Sequence, residues 1–148
     1  MAQVRLATVD DVQEIFKLLV EMDREFEQYG FCPEKTFTGL LSWIHKPDMA
    51  MFVAVSDGIV VGVFAGCKTR MWWSNDIWAM ENFFFVTKNS RGTGAAIKLM
   101  QAFVDWAEID AQHLQMGVAT GAGEGAERLY KKFGLNYVGG NFVKHYKG

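Results

Sequence analysis

Val4-Arg5-Leu6 alternates apolar and polar, which predicts a short first strand. Thr8-Val9-Asp10-Asp11 follows as a capping box, with acids near the positive end of the helix it opens. Val12, Ile15, Phe16, Leu19 and Met22 recur at helical spacing, so a first helix runs to about Phe26. Pro33 suits the first turn of a second helix carrying Phe37, Leu40, Leu41 and Ile44, and Pro47 closes it. From Met49 the period changes to that of strands. "MAMFVAVSDGIVVGVFAGCKT" reads as two strands joined at Asp57-Gly58, a strong hairpin signal. A second turn around Ser74-Asn75-Asp76 is flanked by Trp72, Trp73 and Trp78. The fourth strand, Ile77 to Val86, ends in four apolar residues, as a strand covered on both faces does.

The second half predicts a glycine turn, a helix from about Gly92 to Ile109 and a strand around Leu114 to Ala119. A glycine-rich loop, Thr120 to Gly125, precedes a helix that ends at Gly134, and "LNYVGGNFVKHY" predicts a last strand. The order β-α-α-β-β-β-α-β-α-β, without repeats or linkers, describes a single α+β domain over residues 1–148 with a mixed, mostly antiparallel sheet.

Half of the 148 residues are hydrophobic and 22% are charged, which is the balance of an ordinary globular protein. "MAQVRLATVDD" lacks the apolar run of a signal peptide, and the stretch Ile59 to Cys67 is too short to span a bilayer. Cys32 and Cys67 sit in unlike contexts, so a reduced, cytoplasmic setting is expected. Net charge is −2: the first 75 residues hold 7 basic and 10 acidic side chains, the rest 8 and 7. No long basic stripe exists, which weighs against nucleic acid as a partner. No metal site is expected.

"SRGTGAA", Ser90 to Ala96, lies where the fourth strand becomes a helix. A helix start there points its unpaired N–H groups into the crevice beyond the strand, making an anion site. Gly92 and Gly94 would let phosphate oxygens approach the backbone, and Arg91 adds a planar fork of donors. "GCKT", Gly66 to Thr69, lacks the glycines of a Walker A loop. A dinucleotide fingerprint would need a βαβ unit in place of three antiparallel strands.

Val86 followed by Arg91-Gly92-Thr93-Gly94-Ala95-Ala96 resembles the acetyl-CoA motif of the GCN5-related N-acetyltransferase (GNAT) superfamily. Ala126-Glu127-Arg128-Leu129-Tyr130, ending at Gly134-Leu135, resembles its C-terminal signature. The likeness, nearest to small phage and bacterial members, implies a fourth strand splayed from the fifth, with pantetheine in the gap. It implies amides near Phe85 or Val86 holding the thioester carbonyl, and amides from Arg91 to Ala96 holding the pyrophosphate. It also implies Tyr130 as the acid that protonates the departing thiolate, with Glu81 as base. Strand alternation sends Glu81 and Asn82 to opposite faces unless a bulge intervenes. Two departures from the family pattern are Gly123, where many members carry a pantetheine-binding asparagine, and Leu135 in place of phenylalanine.

The implied reaction moves acetyl from acetyl-CoA to a primary amine: a protein lysine or N-terminus, or a small polyamine-like amine. The alternative is a catalytically silent module of the same fold that binds CoA or a partner protein. Trp72, Trp73 and Trp78 would cover the sheet or a homodimer interface. Glu21 and Glu25 share one helix face and Asp23 and Glu27 another, so one pair would edge the cleft and attract a cation.

Overall fold

The computed structural model describes residues 1–27, 30–117 and 123–146. Its strands are β1 (Gln3–Leu6), β2 (Met49–Ser56), β3 (Ile59–Arg70), β4 (Ile77–Val86) and β5 (His113–Gln115). Its α-helices are α1 (Val12–Phe26), α2 (Pro33–Trp43), α3 (Ala95–Glu108) and α4 (Gly123–Lys132). The strands form one sheet in the order β1-β2-β3-β4-β5. The first three pairings are antiparallel and β4–β5 is parallel, so the sheet is mixed as expected.

The central strand β3 is apolar from Ile59 to Cys67 and buried from Val60 to Gly66, because that stretch is covered on both faces. Phe64 faces α3, stacking on Phe103 at 4.3 Å between ring centroids beside buried Leu99 and Met100. Val63, the next residue in the alternation, packs with Ile15, Leu19 and Leu40 of α1 and α2. The two helical layers therefore fix the register of β3: a one-residue slip would exchange its two apolar faces.

The capping residues at the start of α1 act in a way the sequence only half announces. Asp11 accepts from the Thr8 backbone N–H at 2.8 Å and from both terminal nitrogens of Arg5, at 2.7 and 2.9 Å. The Arg5 guanidinium holds the buried Asp11 carboxyl below the usual carboxylate range, against the desolvation that would raise it.

β4 carries an irregularity that matters for the site. Ala65 pairs with Phe83 and Gly66 with Glu81, so Asn82 is an extra residue with no partner on β3. Glycine is required opposite this bulge. A Cβ on Gly66 would overlap the edge of the Phe103 ring and come within 2.8 Å of the Met80 carbonyl oxygen. Gly66→Ala is therefore expected to destabilise the chain by about 1–3 kcal/mol in urea unfolding, the usual range for overpacking. Gly39→Ala on α2, where a Cβ meets nothing within 4 Å, should be neutral or stabilising. Equal midpoints for the two variants would refute this packing account.

Three expectations need correction. The last strand does not form: Leu135 to Tyr146 has no regular structure, and Phe142, Val138 and Tyr146 stand exposed. A strand is not an intrinsic state, since it needs a ladder partner as well as a β-like sequence. The expected strand Leu114 to Ala119 is observed as His113–Gln115, with residues 118 and 119 outside the described part. Of the two roles expected for the tryptophans, covering the sheet fails for Trp72, which is 95% exposed, while Trp73 packs edge-on against Trp78.

Candidate active site

β4 is ten residues long, yet among the described residues β5 pairs with it only at Trp78, Ala79 and Met80. Among the described residues no pairing with β5 continues beyond Met80, and β4 from Glu81 to Val86 lines a cavity of about 830 Å³. Phe84, Phe85 and Val86 line one side of it, and Leu129 and Tyr130 of α4 line the other. This is the splayed cleft expected from the sequence.

One end of the cavity is the turn between β4 and α3. Gly92 and Gly94 adopt φ of +81° and +89°, a region that disfavours every side chain, and Gly94 is the residue from which α3 starts. No side chain caps that start, and the first helical bond of α3 runs from Lys98 N–H to the Gly94 carbonyl. The N–H groups of Ala95, Ala96 and Ile97 thus lie in the unpaired first turn, where the helix dipole favours an anion. Ala95 is buried against the α3-side core and Ala96 lines the cavity. Thr93 Oγ1 donates to the Ser90 carbonyl and closes the turn. Of the sequence-predicted residues of the turn, Arg91 and Ala96 line the cavity, while Gly92, Thr93, Gly94 and Ala95 are not among its lining residues.

Arg91 sits at the rim. Its Nε donates to the Val86 carbonyl at 3.0 Å, its guanidinium lies 5.3 Å from the centre of the Phe85 ring, and one terminal nitrogen reaches Glu25 at 2.6 Å. Glu21, one helical turn earlier, accepts from Thr87 Oγ1 at 2.8 Å. The Glu21/Glu25 face of α1 therefore holds the β4–α3 turn, and Glu25 also lines the cavity, so this pair edges the cleft. Sequence reading found the face but had no signal for its partners, which lie 66 residues away.

At the other end of the cavity stand Glu81 and Tyr130. Glu81 and Asn82 both line the cavity, as do the next four residues of β4, because the cavity runs along the edge of that strand; the bulge lies at Asn82. Gly117 joins the two candidate residues: its N–H donates to the Glu81 carboxylate, and its carbonyl accepts from the Tyr130 hydroxyl at 2.7 Å. Burial pushes the Glu81 carboxyl up to about 7, although the Gly117 N–H pulls the other way. Burial, and then the charge of Glu81, push the Tyr130 phenol up as well, so it stays protonated. Two titratable groups with displaced protonation thus face one cavity, as sites of proton transfer do. Gly117 was missed in the sequence because its contribution is a peptide group, which no side-chain pattern marks. Among the described residues no group of three His, Cys, Asp or Glu is placed to hold a metal. His113, at the start of β5, pairs with Asp76 at 2.8 Å.

Comparison with known proteins bears on the family and the fold. A profile of the acetyltransferase (GNAT) family matches residues 12–135. An uncharacterized N-acetyltransferase of Archaeoglobus fulgidus is 29% identical over 111 residues, which is 71% of this chain and 73% of that protein. A transcriptional regulator of Bacillus halodurans shares the fold with a TM-score of 0.82 at 18% identity, over 99% of this chain and 100% of its own. A predicted acetyltransferase of Clostridium acetobutylicum, solved with acetyl-CoA, shares it with a TM-score of 0.79 at 12% identity, over 98% and 96%.

Proposed function

The chain belongs to the acetyltransferase (GNAT) family, and we propose that it transfers an acetyl group from acetyl-CoA directly to a primary amine. The observation that carries this reading is the single cavity that runs from the open start of α3 to the Glu81–Gly117–Tyr130 arrangement. The residues fit the donor. The N–H groups of the Arg91–Ala96 turn would hold the pyrophosphate, helped by Arg91 once it exchanges Glu25 for a phosphate. The open edge of β4 would take up the pantetheine amides, with a backbone N–H near Phe85 or Val86 directed at the thioester carbonyl. Such a donor, aimed at a developing oxyanion, is worth about 2.7–4 kcal/mol in acyl transfer.

Glu81 removes one proton from the amine as the C–N bond forms, and a carboxylate with a pKa of about 7 is suited to that role near neutral pH. Tyr130 gives its proton to the sulfur as the C–S bond breaks. The two transfers are coupled by electrostatics. The charge on Glu81 raises the phenol, so protonation of Glu81 makes Tyr130 a stronger acid at the moment the thiolate departs. Transfer of the Glu81 proton to the Tyr130 phenolate, directly or through a water, then restores both residues. Cys32 and Cys67 are both free thiols, which supports placing the protein in the reducing cytoplasm.

The direct test is release of CoA from acetyl-CoA in the presence of amines, with acetyl-CoA binding followed separately. Tyr130→Phe keeps the ring and removes the donor. It is expected to lower kcat by about 10²-fold or more, with little change in acetyl-CoA affinity. Full turnover in that variant, under conditions where chemistry limits the rate, would remove Tyr130 from the mechanism.

A further inference from the structure

A second pocket, of about 460 Å³, adjoins the main cavity and shares Met22, Asn82 and Phe83 with it. Nothing in the roles assigned above uses it. It lies between α1, α2 and β4. Thr36, Gly39, Leu40 and Trp43 recur along α2 at three- and four-residue spacing, so they form one face of that helix, and all four line the pocket. Leu19 of α1 and Phe31 complete an apolar wall, and Trp43 packs edge-on against Phe83 at 5.7 Å. Lys35 carries the only formal charge among the lining residues. The neighbouring Glu34 carboxylate is in contact with the Cys32 thiol, at 3.5 Å. The indole nitrogen of Trp43 is buried and has no acceptor among the described residues.

These features do not suit a polycation. Glu21, Asp23, Glu25 and Glu27, one pair of which was expected to attract one, are not among the residues that line this pocket. The wall that remains is apolar and aromatic, with a lysine on it. An apolar cavity of about 150 Å³ holds one benzene ring, so this pocket has room for a ring with its alkyl chain. Apolar surface moved into it is removed from water, while a second ammonium group would have to be desolvated beside Lys35.

Resting on the transfer reading above, we propose that the acceptor is a primary amine on an apolar, ring-sized body. The body seats between α1 and α2, and the nitrogen enters the main cavity past Asn82 toward Glu81. The acceptor class is an arylalkylamine type of molecule, with no second positive charge.

Phenethylamine and spermidine are the probes. In CoA release, kcat/KM for phenethylamine should exceed that for spermidine at least tenfold. Gly39→Leu fills the pocket from a position where a Cβ meets nothing within 4 Å, and should raise KM for phenethylamine at least tenfold. Its thermal shift with acetyl-CoA should match that of the native chain, which also shows that the variant folds. Lys35 is exposed, so Lys35→Glu tests the charge without risk to the core and should narrow the preference against spermidine. A preference for spermidine in the native protein, or an unchanged phenethylamine KM in Gly39→Leu, overturns the assignment. Calorimetric titration of phenethylamine into protein saturated with CoA separates the two readings. Binding there that Gly39→Leu abolishes supports the pocket even if no amine releases CoA, a result that would overturn the transfer reading alone. Absence of phenethylamine binding, with spermidine bound, overturns the pocket.

Discussion

Glu81→Gln is expected to lower kcat/KM by about 10²–10⁴-fold and to erase the acid limb of the pH profile. In the native protein that limb should centre near 7, because the base must be ionised and its carboxyl is raised to about 7 by burial. Activity therefore rises with pH through neutrality and levels off above it. The same shift has an opposite consequence for stability. A carboxyl whose pKa is higher folded than unfolded binds its proton more tightly in the folded state. Stability is then fully present below the ordinary carboxylate range and falls as pH rises through about 7. Glutamine keeps the shape without the charge. The melting temperature of Glu81→Gln, similar to the native value at pH 5, should exceed it at pH 8. The two measurements are independent: a profile whose limb survives the substitution excludes Glu81 as the base. Parallel melting curves at both pH values exclude the buried carboxylate.

Gly94→Glu should abolish stabilisation by acetyl-CoA. A ligand that binds only the folded state at 100 times its Kd stabilises it by about 2.7 kcal/mol, a shift readily seen in thermal unfolding. Gly94 holds φ at +89°, so any side chain is strained there, and glutamate also places a negative charge at the start of α3. That charge would suit the helix dipole, by ~0.3–1 kcal/mol at an exposed site, while occupying the place proposed for the pyrophosphate. Gly94→Ala carries the strain without the charge and separates the two effects: it should retain part of the shift. Acetyl-CoA stabilisation undiminished in Gly94→Glu would show that the pyrophosphate sits elsewhere.

Much of the site was legible because its parts are adjacent in sequence. The strand Ile77–Val86, the turn with Gly92 and Gly94, and the helix after it form one continuous piece whose chemistry is carried by the backbone. Tyr130 was legible through its neighbours on α4. Glu81 was visible as a polar residue in an apolar strand, but which way it points was not. Alternation alone sends Glu81 and Asn82 to opposite faces, yet both line a cavity that runs along the edge of β4, beside the bulge opposite Gly66. The bulge depends on Phe103, which fills the space beside Gly66 from another element.

By itself the sequence determined what depends on near neighbours: helical and strand periods, the breaks between them, and glycines where φ must be positive. Those properties follow from local sterics and from which side of an element is apolar. Tertiary structure decided what depends on groups brought together from afar. It turned Glu21 and Glu25 of α1 toward Thr87 and Arg91, and it joined Glu81 to Tyr130 through a peptide group of Gly117. It also withheld a strand from Leu135 to Tyr146, whose β-like sequence finds no ladder partner in the sheet. Hydrogen bonds and ion pairs of this kind have no period to betray them, because each is settled by whichever group occupies the facing surface once the layers have packed.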